Sequence, residues 1–166
     1  MGFYTGRTGA MYFYDSTENL SSAVAGAPEA NKKLLKLRDW SIETSLELLE
    51  TTTIDTAVKS YTPGMVSATG SATVLYYRSE AGDVGKQFNK LLDNIMKTST
   101  AGITTSDRCG FILRAGTQTG TGVDIKDDIA FNAYITSASV QVGTGELSSV
   151  AIQFTVDGPF LEIIDN

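Results

Sequence analysis

Between Asp39 and Leu48 the chain alternates without a break. Trp40, Ile42, Thr44, Leu46 and Leu48 fall on one side; Asp39, Ser41, Glu43, Ser45 and Glu47 fall on the other. Only extended backbone turns every second side chain to one face, so this stretch predicts a β-strand with one buried and one polar side. A second run, Met65 to Arg78, is rich in β-branched and aromatic residues and ends Thr73-Val74-Leu75-Tyr76-Tyr77. It predicts a partner strand. The connection, residues 50–64, far exceeds the ~2–5 residues of ordinary hairpin loops. It also carries Ile54, Val58 and Tyr61, which a merely solvated loop has no use for. The two runs are therefore expected to form a long arm whose tip reaches a neighbouring copy.

The rest of the chain supplies a body for that arm. Residues 1–10, with Phe3 and Tyr4 among glycines and threonines, read as an extended N-terminal arm, ordered only when something holds it down. Ala10 to Asp15 reads as a strand aromatic on both faces, either internal to the fold or covered by a partner. Residues 16–36 are small and polar, then basic; Lys32, Lys33, Lys36 and Arg38 suggest a solvated edge or a charged contact with an acidic neighbour.

Residues 83–97 form the expected helix. Val84, Phe88, Leu91, Leu92, Ile95 and Met96 make one apolar stripe, against a polar face of Lys86, Asn89, Lys90, Asp93 and Asn94. Such a stripe needs a sheet to cover. Strand signals follow at Arg108–Arg114, at Asp127–Ser137 and from Val150 to Val156. In the second of these the apolar phase moves after Ser137 to Ala138, Val140 and Val142, which predicts a bulge. Gly143-Thr144-Gly145-Glu146 reads as a hairpin turn, and Gly158-Pro159 as a strand end. The expected architecture is a single mainly β domain over residues 1–166. It is an antiparallel β-sandwich or barrel with one flanking α-helix, a long inter-strand loop and an extended N-terminal arm.

Composition narrows function more by exclusion than by motif. There is no histidine and one cysteine, Cys109, which removes the usual zinc and copper ligands and the commonest general base. Cys109 is expected to be a small buried residue beside Phe111 and Leu113. Glu43 and Glu47, four apart on a strand, would be about 13 Å from each other at ~3.3 Å per residue. That is beyond the roughly 5–9.5 Å of glycosidase pairs. The glycines between Ala115 and Gly122 lack the Lys-Ser/Thr ending of a phosphate loop, and Asp124, Asp127 and Asp128 lack EF-hand spacing. No catalytic group, metal or cofactor is expected. A net charge of −6 disfavours wrapping nucleic acid, and no apolar run is long enough to span a membrane.

Three stretches carry a resemblance: Leu49-Glu50-Thr51-Thr52-Thr53-Ile54-Asp55, Lys59-Ser60-Tyr61-Thr62-Pro63-Gly64-Met65, and the closing run from Ile135 through Gly145-Glu146-Leu147 to Phe154-Thr155-Val156-Asp157-Gly158. In this order, over roughly Asp39 to Phe160, the chain resembles the tail tube (major tail) proteins of long-tailed bacteriophages. The resemblance implies a structural virion protein made in the host cytoplasm, with six copies joined in a ring around a channel and rings stacked into a tube. DNA would pass through without specific binding. Tape-measure, terminator and baseplate or tip proteins would be partners.

On that reading Thr51, Thr52, Thr53, Ile54, Asp55, Val58, Tyr61 and Pro63 contact the next ring, and Phe3 and Tyr4 anchor the arm. The channel lining is expected from one of two faces: the first strand's Ser41, Glu43, Ser45 and Glu47, or the second strand's Ser67, Thr69, Ser71 and Thr73. Two alternatives stand behind it. One is the tube of a type VI secretion system or contractile tail; the other is a β-sandwich ligand-binding or adhesion module.

Overall fold

A computed structural model of the chain describes residues 9–18, 20, 28, 32–34, 37–55, 57–75, 86–98, 100–119 and 124–163. Its strands are β1 (Ala10–Tyr14), β2 (Leu37–Glu50), β3 (Tyr61–Leu75), β4 (Cys109–Thr119), β5 (Asp124–Gln141), β6 (Ser149–Val156) and β7 (Glu162–Ile163). Helix α1 (Lys86–Ile95) lies between β3 and β4. Every pairing is antiparallel, in the order β1-β4-β5-β6-β3-β2, with β7 continuing along β5. The mainly antiparallel fold with a flanking helix is as the periodicities predict. The strands form one sheet, and it is not closed into a barrel.

The core lies on one face of that sheet. Phe13, Phe111, Phe131 and Phe154 are fully buried, with Phe111 and Phe154 stacked at 5.0 Å between ring centres. Register explains why they meet: Phe13 pairs Phe111, and Phe111 pairs Phe131 across adjacent strands. Gly70 stands opposite Phe154, and a Cβ built on it would lie 2.4 Å from that ring and 2.5 Å from the Ser41 carbonyl. The position is glycine because β3 and the ring share the space. Cys109 is buried in this core, and burial pushes its thiol up to about 12.

Several expectations hold and several shift. The β5 bulge falls between Ile135 and Ser137, where the apolar phase changes. Val150, Ile152 and Phe154 point into the core. Strand β1 is buried on both faces within its own chain. Met11 and Phe13 enter the main core, while Ala10, Tyr12 and Tyr14 form a second cluster with Leu20, Ile112 and Ala130. It therefore offers no aromatic surface to a partner. β4 runs on to Thr119, because a register shift between Arg114 and Gly116 lets the ladder continue through the expected loop.

In α1, Leu91 is buried and Leu92 and Ile95 pack against the core. Asn94, assigned to the polar face, is also buried, since it lies three residues from Leu91 on the same side of the helix. Met96 is exposed because the helix ends at Ile95. Residues 83–85 lie outside the described residues.

The basic stretch is partly spent inside the chain. Lys32 and Lys90 both donate to Glu18 Oε1, and the Asp15 N–H donates to Oε2 at 2.9 Å. Burial alone would raise the Glu18 carboxyl, but the hydrogen bonds from Lys32, Lys90 and Asp15 overcome it and hold the group at about 2, against an ordinary 4.5. The folded state thus prefers the ionised form. The stabilisation is full above the unfolded value and drains away as pH falls from about 4.5 toward 2. A Glu18→Gln variant should therefore be less stable than the parent at pH 7, with the two urea midpoints converging near pH 2. A gap independent of pH would show that charge is not what Glu18 contributes.

Candidate assembly surfaces

The β2–β3 hairpin outgrows its sheet. β6 pairs β3 only over Thr69–Leu75, while β3 begins at Tyr61. The segments 44–50 and 61–68 therefore stand beyond the sheet by about 25 Å, at ~3.4 Å per residue. The face expected to be buried is buried only at its base. Trp40 and Ile42 pack on the core, but Leu46 is 49% exposed, Leu48 55% and Val66 67%. The alternation was read correctly as a strand; what it lacks is cover, because no other described strand extends this far.

The connection itself is Thr51 to Ser60, closed at its base by the Thr51 N–H to the Ser60 carbonyl at 2.9 Å and by Ser60 N–H to Thr52 Oγ1 at 3.1 Å. Thr51, Thr52, Thr53, Ile54, Asp55 and Val58 are all exposed within it. Tyr61 and Pro63, assigned to the loop from sequence, are strand residues facing Glu50 and Leu48. The ladder closes earlier than expected because a bulge at Gly64 and Met65 restores register between Pro63 and Val66. Phe3 and Tyr4 lie outside the described residues.

The two faces proposed as alternatives for a channel lining are one face. Ser41 stands opposite Ser71, Glu43 opposite Thr69, and Ser45 opposite Ser67. The two serine pairs have hydroxyls 3.0 and 2.9 Å apart. The face continues sideways onto Gln153 and Thr155 of β6 and Ser137 and Ser139 of β5. A shallow groove of about 780 Å³ runs across it between Glu43, Thr69, Gln153 and Thr155. Its charges come from β2 alone, as Asp39, Glu43 and Glu47, with Arg38 beside Asp39 at the register shift. β3, β6 and residues 134–141 of β5 contain no charged side chain.

Three further surfaces escaped the sequence. β2 is a sheet edge, and β5 from Tyr134 to Gln141 pairs β6 on one side with no described strand on the other. The β5–β6 turn, at the opposite end of the sheet from the hairpin tip, leaves Val142 79% and Leu147 78% exposed. Two apolar side chains flanking Gly143-Thr144-Gly145-Glu146 were a visible signal there. Of the three carboxylates weighed for calcium, Asp128 is buried and bound to Arg114.

Solved structures share this fold, and tail and tube assemblies are among them. The SPP1 tail tube is similar over 98% of this chain and 80% of its own, at 15% identity and a TM-score of 0.64. The tail of an empty gene transfer agent particle, refined helically with C6 symmetry, is similar over 98% of this chain and all of its own, at 12% identity and 0.61. The sheath/tube terminator of the PVC extracellular contractile injection system is similar over 97% of this chain and 96% of its own, at 11% identity and 0.63. No protein-family model and no curated protein matches the sequence.

Proposed function

We propose that this chain is the subunit of a phage tail tube: six copies close into a ring, rings stack, and DNA travels down the channel. The observation that carries the reading is the hairpin, polar and acidic on one face, apolar and uncovered on the other, and longer than the sheet behind it. Four strands of each copy, β5-β6-β3-β2, would line the channel. Along that order the strands alternate in direction, so β2 of one copy meets residues 134–141 of β5 in the next as an antiparallel pair. Ring closure then leaves neither edge bare, which removes the hazard of open edges.

The polar face suits a conduit for DNA. A cationic wall would hold phosphates through counterion release. Asp39, Glu43 and Glu47 repel them, with a reach of about 8 Å at physiological salt. Serine and threonine between them keep the wall wet without adding charge.

The proposed location is the virion tail, with synthesis in the host cytoplasm and tape-measure, terminator and baseplate or tip proteins as partners. Likeness to the contractile-system terminator keeps one second reading, a tube inside a contractile machine. It would share the ring and differ in cargo and in a sheath around the outside.

Mass photometry across a concentration series tests the reading. The expected particle has about six times the 17.7 kDa of one chain, growing at higher concentration into species of whole-ring multiples. A single-chain mass at every concentration, with or without added tail-tip complex, would contradict it.

A further inference from the structure

The hairpin tip needs a receiving surface, and the sheet supplies one at its other end. Leu75, Ser149 and Gln141 stand side by side at the end that carries the β5–β6 turn. From there β3 runs the full length of the sheet and on to Tyr61 at the tip. The separation of turn and tip is on the order of 50 Å at ~3.4 Å per residue. Sideways, the β5–β6 pair lies two strands from the β2–β3 pair, roughly 10 Å.

Both ends are apolar and exposed. Ile54 is wholly exposed and Val58 76% so, and at the turn Val142 and Leu147 flank Glu146. Charge allows one ion pair there: Lys59, the cation of a segment that also holds Glu47, Glu50 and Asp55, sits only loosely at 3.9 Å from Glu50, and Glu146 is the charged residue of the turn.

We propose that the β2–β3 tip of one copy docks on the β5–β6 turn of a second copy in the next ring, with Ile54 and Val58 against Val142 and Leu147, and Lys59 toward Glu146. This rests on the tube reading and adds the acceptor to it. Physics favours this partner over a tip-to-tip contact. Two different patches at opposite ends of one body repeat indefinitely, whereas a patch that binds itself stops at a pair. Burial of a valine, leucine or isoleucine contributes about 1.5–3 kcal/mol, so one such contact is weak against the ~4–15 kcal/mol of association. Six made together between preformed rings are strong, because the first makes the others intramolecular. Stacking is then a property of rings, and single chains stay apart.

The test is a cysteine pair. Val58→Cys and Leu147→Cys in one chain are too far apart to link within it, since a disulfide needs Cα atoms about 4.4–6.8 Å apart. Cys109 is buried and gives no background. Mild oxidation of the double variant in assembled form should give a covalent ladder of dimers, trimers and higher species on a non-reducing gel, and neither single variant should. Cross-linking of Val58→Cys alone would mean tip-to-tip contact and overturn the proposal. Tubes of the double variant that give no ladder would overturn it too.

A second variant, Leu147→Asp, sits on an exposed turn and should form rings that do not stack; normal tubes from it would contradict the assignment. If the parent forms neither rings nor tubes, the tube reading fails and the acceptor with it. If the parent forms tubes and the Leu147 variants behave as parent, the acceptor alone fails.

Discussion

An Asp128→Ala variant unfolds about 3–5 kcal/mol more easily than the parent, the cost expected when one partner of a buried ion pair is removed. The pair is nearly dry, each side chain being 9% exposed. Arg114 Nε and Nη2 donate to the two carboxylate oxygens of Asp128 at 2.7 Å each, and Nη1 donates to the Tyr12 hydroxyl at 3.1 Å. The three residues stand on adjacent strands of the second core cluster, with Arg114 opposite Asp128 and Ala10. The hydrogen bonds it donates to Asp128 hold the guanidinium more firmly protonated than usual, and burial pushes the Tyr12 hydroxyl up.

Alanine at 128 leaves a buried cation with the Tyr12 hydroxyl and the Glu162 carboxylate's field in place of a bidentate partner. For a chain of this size each kcal/mol shifts the melting temperature by about 2–4 °C, so the drop is on the order of 10 °C. Arg114→Met with Asp128→Leu removes both charges and should recover most of the loss. Thermal and urea denaturation of the three proteins decide the matter. A loss below about 1 kcal/mol for Asp128→Ala would mean water reaches the pair and screens it.

Replacing Thr51–Ser60 by Asn-Gly leaves the fold intact and abolishes tube growth. Glu50 and Tyr61 are already facing partners, so a two-residue turn joins them without disturbing the ladder. No described residue of the loop belongs to either core cluster. The variant should therefore keep the far-UV circular dichroism and urea midpoint of the parent, close into rings, and not stack. Loss of fold would mean that the loop is part of the body after all. Normal tubes from the variant would mean that stacking uses another surface. Tyr61→Ala is a milder probe: it removes a half-exposed ring at the base of the tip and should weaken stacking without stopping it.

What the sequence revealed and what it hid follow from the range of the physics. Local periodicity is written in neighbours along the chain. The strand at Asp39–Leu48, the β5 bulge after Ile135 and the inward set Val150, Ile152 and Phe154 were all legible from spacing alone. Cross-strand register is not. That Ser41 faces Ser71, and hence that two candidate linings are one, depends on where the bulge at Gly64 and Met65 falls. The Arg114–Asp128 pair and the Glu18 cluster bring together residues far apart in sequence. The buried Asn94 shows the limit within a helix, where side is decided by the neighbouring strands as much as by the stripe.

The most informative misreading concerns burial. Alternation tells that Leu46 and Leu48 want cover, and it cannot tell whether the cover comes from the same chain. Among the described residues it does not, and this gap between pattern and burial is the strongest pointer to assembly. Val142 and Leu147 carried the same signal in miniature, but Val142 was read only as strand phase and Leu147 only as part of the closing run.

A helical cryo-electron microscopy map of the assembled protein tests the central claim most directly. The account predicts a hollow tube of six-membered rings, with Ser41, Glu43, Glu47, Ser67, Thr69 and Ser71 on the channel wall and α1 toward the outside. A tube with Glu43 and Glu47 on its outer surface, or an assembly with no axial channel, would contradict it.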